Sequence, residues 1–171
     1  MNPCTYMTVM KTTMRTAILC LGLAFAWDAN SMERDQGIDL PEPSVDGDVD
    51  SLPAGVYRYR PERHRLEQVA DGDLRKELAA AALDQSWVRR APAVLVIAGV
   101  YERSAKKYGD RARRYTRIET GHAAQNVYLQ ATALRLGTVI VGAFRDADVQ
   151  EVLGLPDDHA PLALMPVGHP R

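Results

Sequence analysis

The stretch that most constrains this chain is Arg117–Asp146, RIETGHAAQNVYLQATALRLGTVIVGAFRD. Its residues favour a helix from Glu119 to Leu136, with Gly121, Ala124, Val127, Ala131 and Leu134 recurring at steps of three and four. That stripe is mostly small, so the helix backbone can approach closely whatever it faces. Gly137 stands where a left-handed cap is wanted. Val139-Ile140-Val141 then reads as a buried strand, and Gly142-Ala143 leaves its end bare. A bare backbone at the end of a buried strand suits either tight packing or a flat bound ring. Periodicity does not choose between them.

With 171 residues, 46% of them hydrophobic, the chain has enough apolar material for the core of one domain. Its 21 Lys plus Arg and 22 Asp plus Glu nearly cancel, so no nucleic-acid partner is expected. Cys4 and Cys20 both lie near the N-terminus, which argues against a disulfide framework or a cysteine metal site in the folded part.

Lys11 and Arg15 precede Ala17–Ala26, an uncharged apolar run too short to cross a bilayer as a helix. The pattern fits a secretory signal over residues 1–26, cut after Ala26, and hence an exported or periplasmic protein with no membrane span in the mature chain. A buried helix, in a cytoplasmic protein, is the alternative. Residues 27–51 form a polar, acidic lead-in with Pro41, Pro43, Asp46, Asp48 and Asp50. From Leu52 onward the pattern is that of a folded domain. Gly55–Arg60 and Arg65–Val69 predict a hairpin, and Asp71 or Asp73 can cap a helix over Leu74–Leu83. Ala93–Ala98 predicts a central strand. Glu102–Arg117 is a basic, mostly solvated helical run that Gly109 breaks, leaving Lys107 and Tyr108 at a loop edge. Asp146 caps a helix over Ala147–Leu153 that ends at Gly154, and Pro161–Val167 is a last strand. The class is α+β.

His122 is a tempting base or ligand, but no second ligand stands at metal spacing, so no metal site is expected. His169 and Arg171 follow the last strand and suit either a phosphate or a solvated chain end. The residues alone leave the function open.

Six motifs nevertheless occur in a recognisable order. They are Ala54–Tyr59, Trp87 with Ala91-Pro92, Lys107-Tyr108-Gly109, Glu119-x-Gly-His-Ala-Ala-Gln-Asn126, Val141–Phe144 and Pro166-Val167-Gly168. Together they resemble the C-terminal part of the nitroreductase superfamily, most closely its SagB/ThcOx branch of FMN-dependent azoline dehydrogenases. The resemblance covers residues 52–171 and implies a nitroreductase-like fold, a mostly antiparallel sheet flanked by helices. It also implies an FMN-binding homodimer with the flavin at the subunit interface, acting on a small-molecule or modified-peptide substrate. On this resemblance the backbone of Val141, Gly142 and Ala143 meets the N5 edge of the flavin, His169 and Arg171 hold its phosphate, and Lys107 and Tyr108 serve catalysis.

The branch also carries an Arg-Arg-Ser-x-Arg segment that grips the phosphate and a Ser-Ala-Gly-Ala-Leu-Tyr-Pro segment that lines the ring. Here Leu40–Pro43 runs almost directly into Leu52–Gly55, and neither segment occurs. The expectation is a site with its ring side kept and much of its phosphate side lost. The competing expectation is a non-catalytic remnant that binds no FMN and at most dimerises or binds a partner.

Overall fold

The computed structural model describes residues 6–11, 45–46 and 52–170. Its centre is the apolar run Ala93–Gly99, strand β5, paired antiparallel with β7 (Ala160–Pro170) from Ala93↔Val167 to Gly99↔Ala160. The other strands are β1 (Tyr6–Lys11), β2 (Val45–Asp46), β3 (Gly55–Arg60), β4 (Arg65–Asp71) and β6 (Gly137–Thr138). Among the described residues they form one seven-stranded sheet in the order β2-β7-β5-β1-β3-β4, with β6 also on β7. The hairpin predicted over Gly55–Val69 is β3–β4.

Both faces of the sheet are covered, because alternate residues of β5 and β7 point opposite ways. Val94, Val96 and Leu164 pack with Leu78, Val88 and Val149, which come from α1 (Arg75–Ala81), α2 (Ser86–Arg90) and α5 (Asp146–Leu153). Ile97, Ala163 and Met165 pack with Ala124 of α4 (Ala112–Ala133). Each fully buried aliphatic side chain of this kind contributes about 1.5–3 kcal/mol. Gly99 marks the tightest seat of α4: a Cβ there would lie 2.6 Å from Leu162 Cδ1 and 2.7 Å from Thr116 Cγ2.

Several expectations shift. Gly109, at φ 53, does break the basic run, but only by a single 3-10 turn, Gly109–Arg111, between α3 (Tyr101–Tyr108) and α4, which begins at Ala112. The buried stripe of α4 is Thr116, Thr120, Ala124 and Ala131, whereas Gly121 is exposed and a Cβ added there would meet nothing within 4 Å. The left-handed cap is Arg135 (φ 56) and not Gly137. Arg135 N–H donates to Thr132 O at 3.0 Å and Leu136 N–H to Ala131 O at 2.8 Å, the paired bonds of a Schellman turn. Because the helix ends there, strand pairing starts early, at Gly137–Thr138, and Val139–Val141 keeps only an isolated bridge, Val141↔Leu164. Val45–Asp46, inside the expected lead-in, is a strand on the end of β7. Residues 6–11, inside the expected signal, form β1; the apolar run Ala17–Ala26 lies outside the described residues.

The start of α1 is tied down by charge. Asp73 Oδ1 accepts Arg75 N–H at 3.1 Å and Nε–H at 2.8 Å, while Oδ2 accepts Nη2–H at 2.6 Å. Arg75 Nη1 also donates to Ala91 O at 3.0 Å, fastening α1 to the entry of β5. These hydrogen bonds hold the Asp73 carboxyl below its ordinary 3.8. Since its folded pKa is depressed, the pair stabilises above the ordinary value and is lost as pH falls through the folded one. Asp73→Asn is expected to lower stability at neutral pH and to flatten its decline on acidification, measured by urea unfolding across pH. Arg135→Gly, which relieves a left-handed side chain, is expected to raise stability by about 0.5–1 kcal/mol in the same assay. A loss at that site would contradict the cap.

Candidate functional site

A cleft of about 550 Å³ opens between α4, the loop after β6 and the start of β7. One wall is α4, where Arg113, Arg117 and Gly121 recur every fourth residue and so share a face. Ile140, Gly142 and Phe144 of the loop form the opposite wall. Pro161 and Leu162 of β7 also line it, with Asp157 and Asp158 in the turn before that strand and Tyr101 and Glu102 of α3.

The loop between Ile140 and Arg145 is pinned on every side. Val141 N–H donates to Leu164 O at 2.8 Å, and Leu164 N–H returns to Val141 O at 3.0 Å. The Tyr128 hydroxyl accepts Ile140 N–H at 2.7 Å. Gln85 Nε2 donates to both Ala82 O and Ala143 O at 2.8 Å, and Arg145 N–H donates to Ala81 O at 2.9 Å. Between these anchors Gly142 and Ala143 are exposed, and among the described residues nothing accepts their N–H groups. A Cβ on Gly142 would meet nothing within 4 Å. The result is two backbone N–H groups without an acceptor on an anchored loop, with open space beside Gly142, a place for an acceptor atom.

The charges are mixed. Arg113 lies 4.7 Å from the centroid of the Tyr101 ring, a cation–π contact that holds it against the cleft wall. Glu102, Asp146, Asp157 and Asp158 bring negative charge to the same lining. Asp158 Oδ1 lies 2.6 Å from His159 Nδ1, and that hydrogen bond holds its carboxyl below the usual carboxylate range.

Of the residues singled out in the sequence, the loop gathers Val141, Gly142 and Ala143, but the Val141 N–H is already spent on Leu164. Any donor to a ring is therefore Gly142 or Ala143. Lys107 and Tyr108 stand at the exposed C-terminal end of α3, outside the cleft lining. There Lys107 Nζ is 5.2 Å from the Tyr108 ring centroid, and that ring meets Tyr115 edge-on at 5.0 Å. His169 is exposed near the end of β7, opposite Asp46, and Arg171 lies outside the described residues. His122 is exposed, with Nδ1 3.9 Å from Glu119 Oε2, and no metal-binding group occurs among the described residues. No described helix is long and apolar enough to cross a membrane.

Residues 46–169 match the model of the nitroreductase family. The chain belongs to that family. A Methanocaldococcus jannaschii protein named as a nitroreductase is 52% identical over 121 residues, which cover 71% of this chain and 60% of that one. The NADPH-flavin oxidoreductase of Vibrio harveyi is 37% identical over 113 residues, covering 61% and 47%. A crystal structure named as a nitroreductase of Anabaena variabilis superposes with a TM-score of 0.73 at 27% identity, covering 98% of this chain and 27% of that one. The chain thus spans about half to three-fifths of the length of the two curated relatives. The nitroreductase-like fold, an antiparallel sheet flanked by helices, is shown by the family match and the superposition.

The exposed Gly142–Ala143 edge, with Gly142 on the cleft lining, is the part of the site that could accept a flat ring. The wall residues Arg113 and Arg117 were legible only as part of a solvated basic run, because their role depends on α4 beginning before them. Their spacing of four from Gly121 is the signal that places them on the cleft side. Gln85→Ala removes the clamp on Ala143 O. It is expected to cost about 1 kcal/mol and to speed amide exchange selectively at Gly142–Phe144; unchanged exchange there would show that the clamp does not hold the loop.

Proposed function

We propose that the protein is an FMN-dependent oxidoreductase whose flavin ring edge sits on the Gly142–Ala143 loop. The single observation that supports this most is the pair of acceptorless N–H groups on an exposed loop, with open space beside Gly142. Bound FMN would supply two-electron redox chemistry. The chain's own part is to orient and to exclude. Gly142 and Ala143 donate toward the ring edge, the Val141–Leu164 bridge and Gln85 keep those donors fixed, and Phe144 and Ile140 present apolar surface beside them. His169 and Arg171 are the proposed phosphate contacts. A homodimer is part of the reading, supported by Ile118, Leu129 and Leu134, apolar residues that α4 and its end leave exposed.

The finer assignment is azoline-type dehydrogenation, as in the SagB/ThcOx branch. It rests on the ordered motifs, in which Lys107 and Tyr108 match the branch's catalytic pair, although in this chain the two stand outside the cleft that Gly142 lines. One of the two would take a proton from the azoline ring of the substrate. Purified protein mixed with FMN is expected to keep the visible flavin absorbance through desalting. A colourless protein that no reconstitution colours would overturn the flavin reading. Where flavin is held, Lys107→Ala should slow azoline oxidation by about 100-fold without releasing it; unchanged turnover would remove Lys107 from the chemistry.

A further inference from the structure

Strand β1 occupies an unusual place for a segment so far from its neighbours in sequence. Tyr6–Lys11 is an inner strand, antiparallel to β5 on one side and to β3 on the other. On the β5 side the register runs from Tyr6↔Ala98 to Lys11↔Ala93, the full length of the segment. On the β3 side it runs from Thr8↔Arg58 to Lys11↔Gly55. Among the described residues the hairpin β3–β4 pairs with the rest of the sheet only across this strand, since β3 pairs with β1 and β4, and not with β5.

We infer that β3 and β5 frame a strand-addition slot, that its occupant is this chain's own residues 6–11, and that the folded protein keeps them. The slot reads main chain first. An inner strand satisfies backbone donors and acceptors on both its neighbours, and its removal would turn the inner strands β5 and β3 into open edges. β5 is among the most apolar segments of the chain, so an open edge on it is a template for aggregation. The short occupant is suited to its place: YMTVMK contains no Pro or Gly and carries Tyr, Thr and Val, residues that favour strands.

The same residues lie within the segment that reads as an export signal, and cleavage after Ala26 would release them from the domain. Completion of the sheet and removal of residues 1–26 are therefore exclusive fates of one segment. The inference does not depend on the flavin proposal, because it concerns backbone pairing on the far side of β5 from β7.

The test is native-state hydrogen exchange on the full chain, combined with the intact mass of the folded protein. Folded material is expected to retain residues 6–11, with amides of Thr8–Met10 protected to the same degree as those of β5. In Val9→Pro, which removes an inner-strand donor, protection is expected to fall at least tenfold on β3 and on the paired amides of β5, while α4 keeps its own. Should that variant fail to fold, the wild-type exchange pattern alone decides. Rapid exchange at Thr8–Met10 in the wild-type protein, or folded protein of full stability whose mass begins at Trp27, would overturn the inference.

Discussion

The antiparallel pairing of β5 with β7 is the constraint on which the rest depends. Seven residues of β5 run beside β7, and their alternation sends Val94 and Val96 to one helical layer and Ile97 to the other. Leu164 of β7 then does two things at once. Its side chain joins the first layer's core, and its backbone takes both hydrogen bonds of Val141. The loop that carries Gly142 and Ala143 is thus fixed to a fully buried position of β7. A donor pair on a free loop would lose much of its value to reorganisation, whereas here the anchor is the core itself.

Electrostatics divide between holding the fold and furnishing the cleft. The Asp73–Arg75 pair is spent on the fold, since its bonds join the start of α1 to the entry of β5. Arg60 and Glu67 likewise pair across the β3–β4 hairpin at 2.6 Å, and that hydrogen bond draws the Glu67 carboxyl below its usual range. The cleft carries unlike charges in one lining, Arg113 and Arg117 of α4 together with Asp157 and Asp158 of the turn before β7. Burial does the reverse to Tyr57, raising its phenol, with Asp71 adding to the effect, while its hydroxyl donates to Pro53 O at 2.7 Å.

What was legible in the sequence was what local pattern specifies. The β3–β4 hairpin, β5, the break at Gly109 and the left-handed Gly154 that ends α5 follow from alternation, apolar runs and turn residues. Asp146, expected to cap α5, is instead its first residue, with Arg145 at the N-cap and no side-chain cap bond. Non-local pairing was not legible. Nothing in YMTVMK announces a partner in Ala93–Ala98, and Val45–Asp46 is too short to carry a period. Gly is the usual left-handed residue, which favours Gly137 as the cap, yet the hydrogen bonds of the last turn fall on Arg135 two residues earlier. The bare end at Gly142–Ala143 was visible as a local feature. The cleft in front of it was not, since its walls come from four separated segments that only the sheet brings together.

The central claim is that those two N–H groups are the protein's contact with a flavin ring. An amide-resolved NMR titration of the full chain with FMN addresses it without requiring turnover. The account predicts that the Gly142 and Ala143 amides shift most and exchange more slowly when FMN is added, with smaller changes along Arg117–Gly121. Shifts confined to other surfaces, such as the Lys107–Tyr115 corner, with Gly142 and Ala143 unmoved, would contradict it.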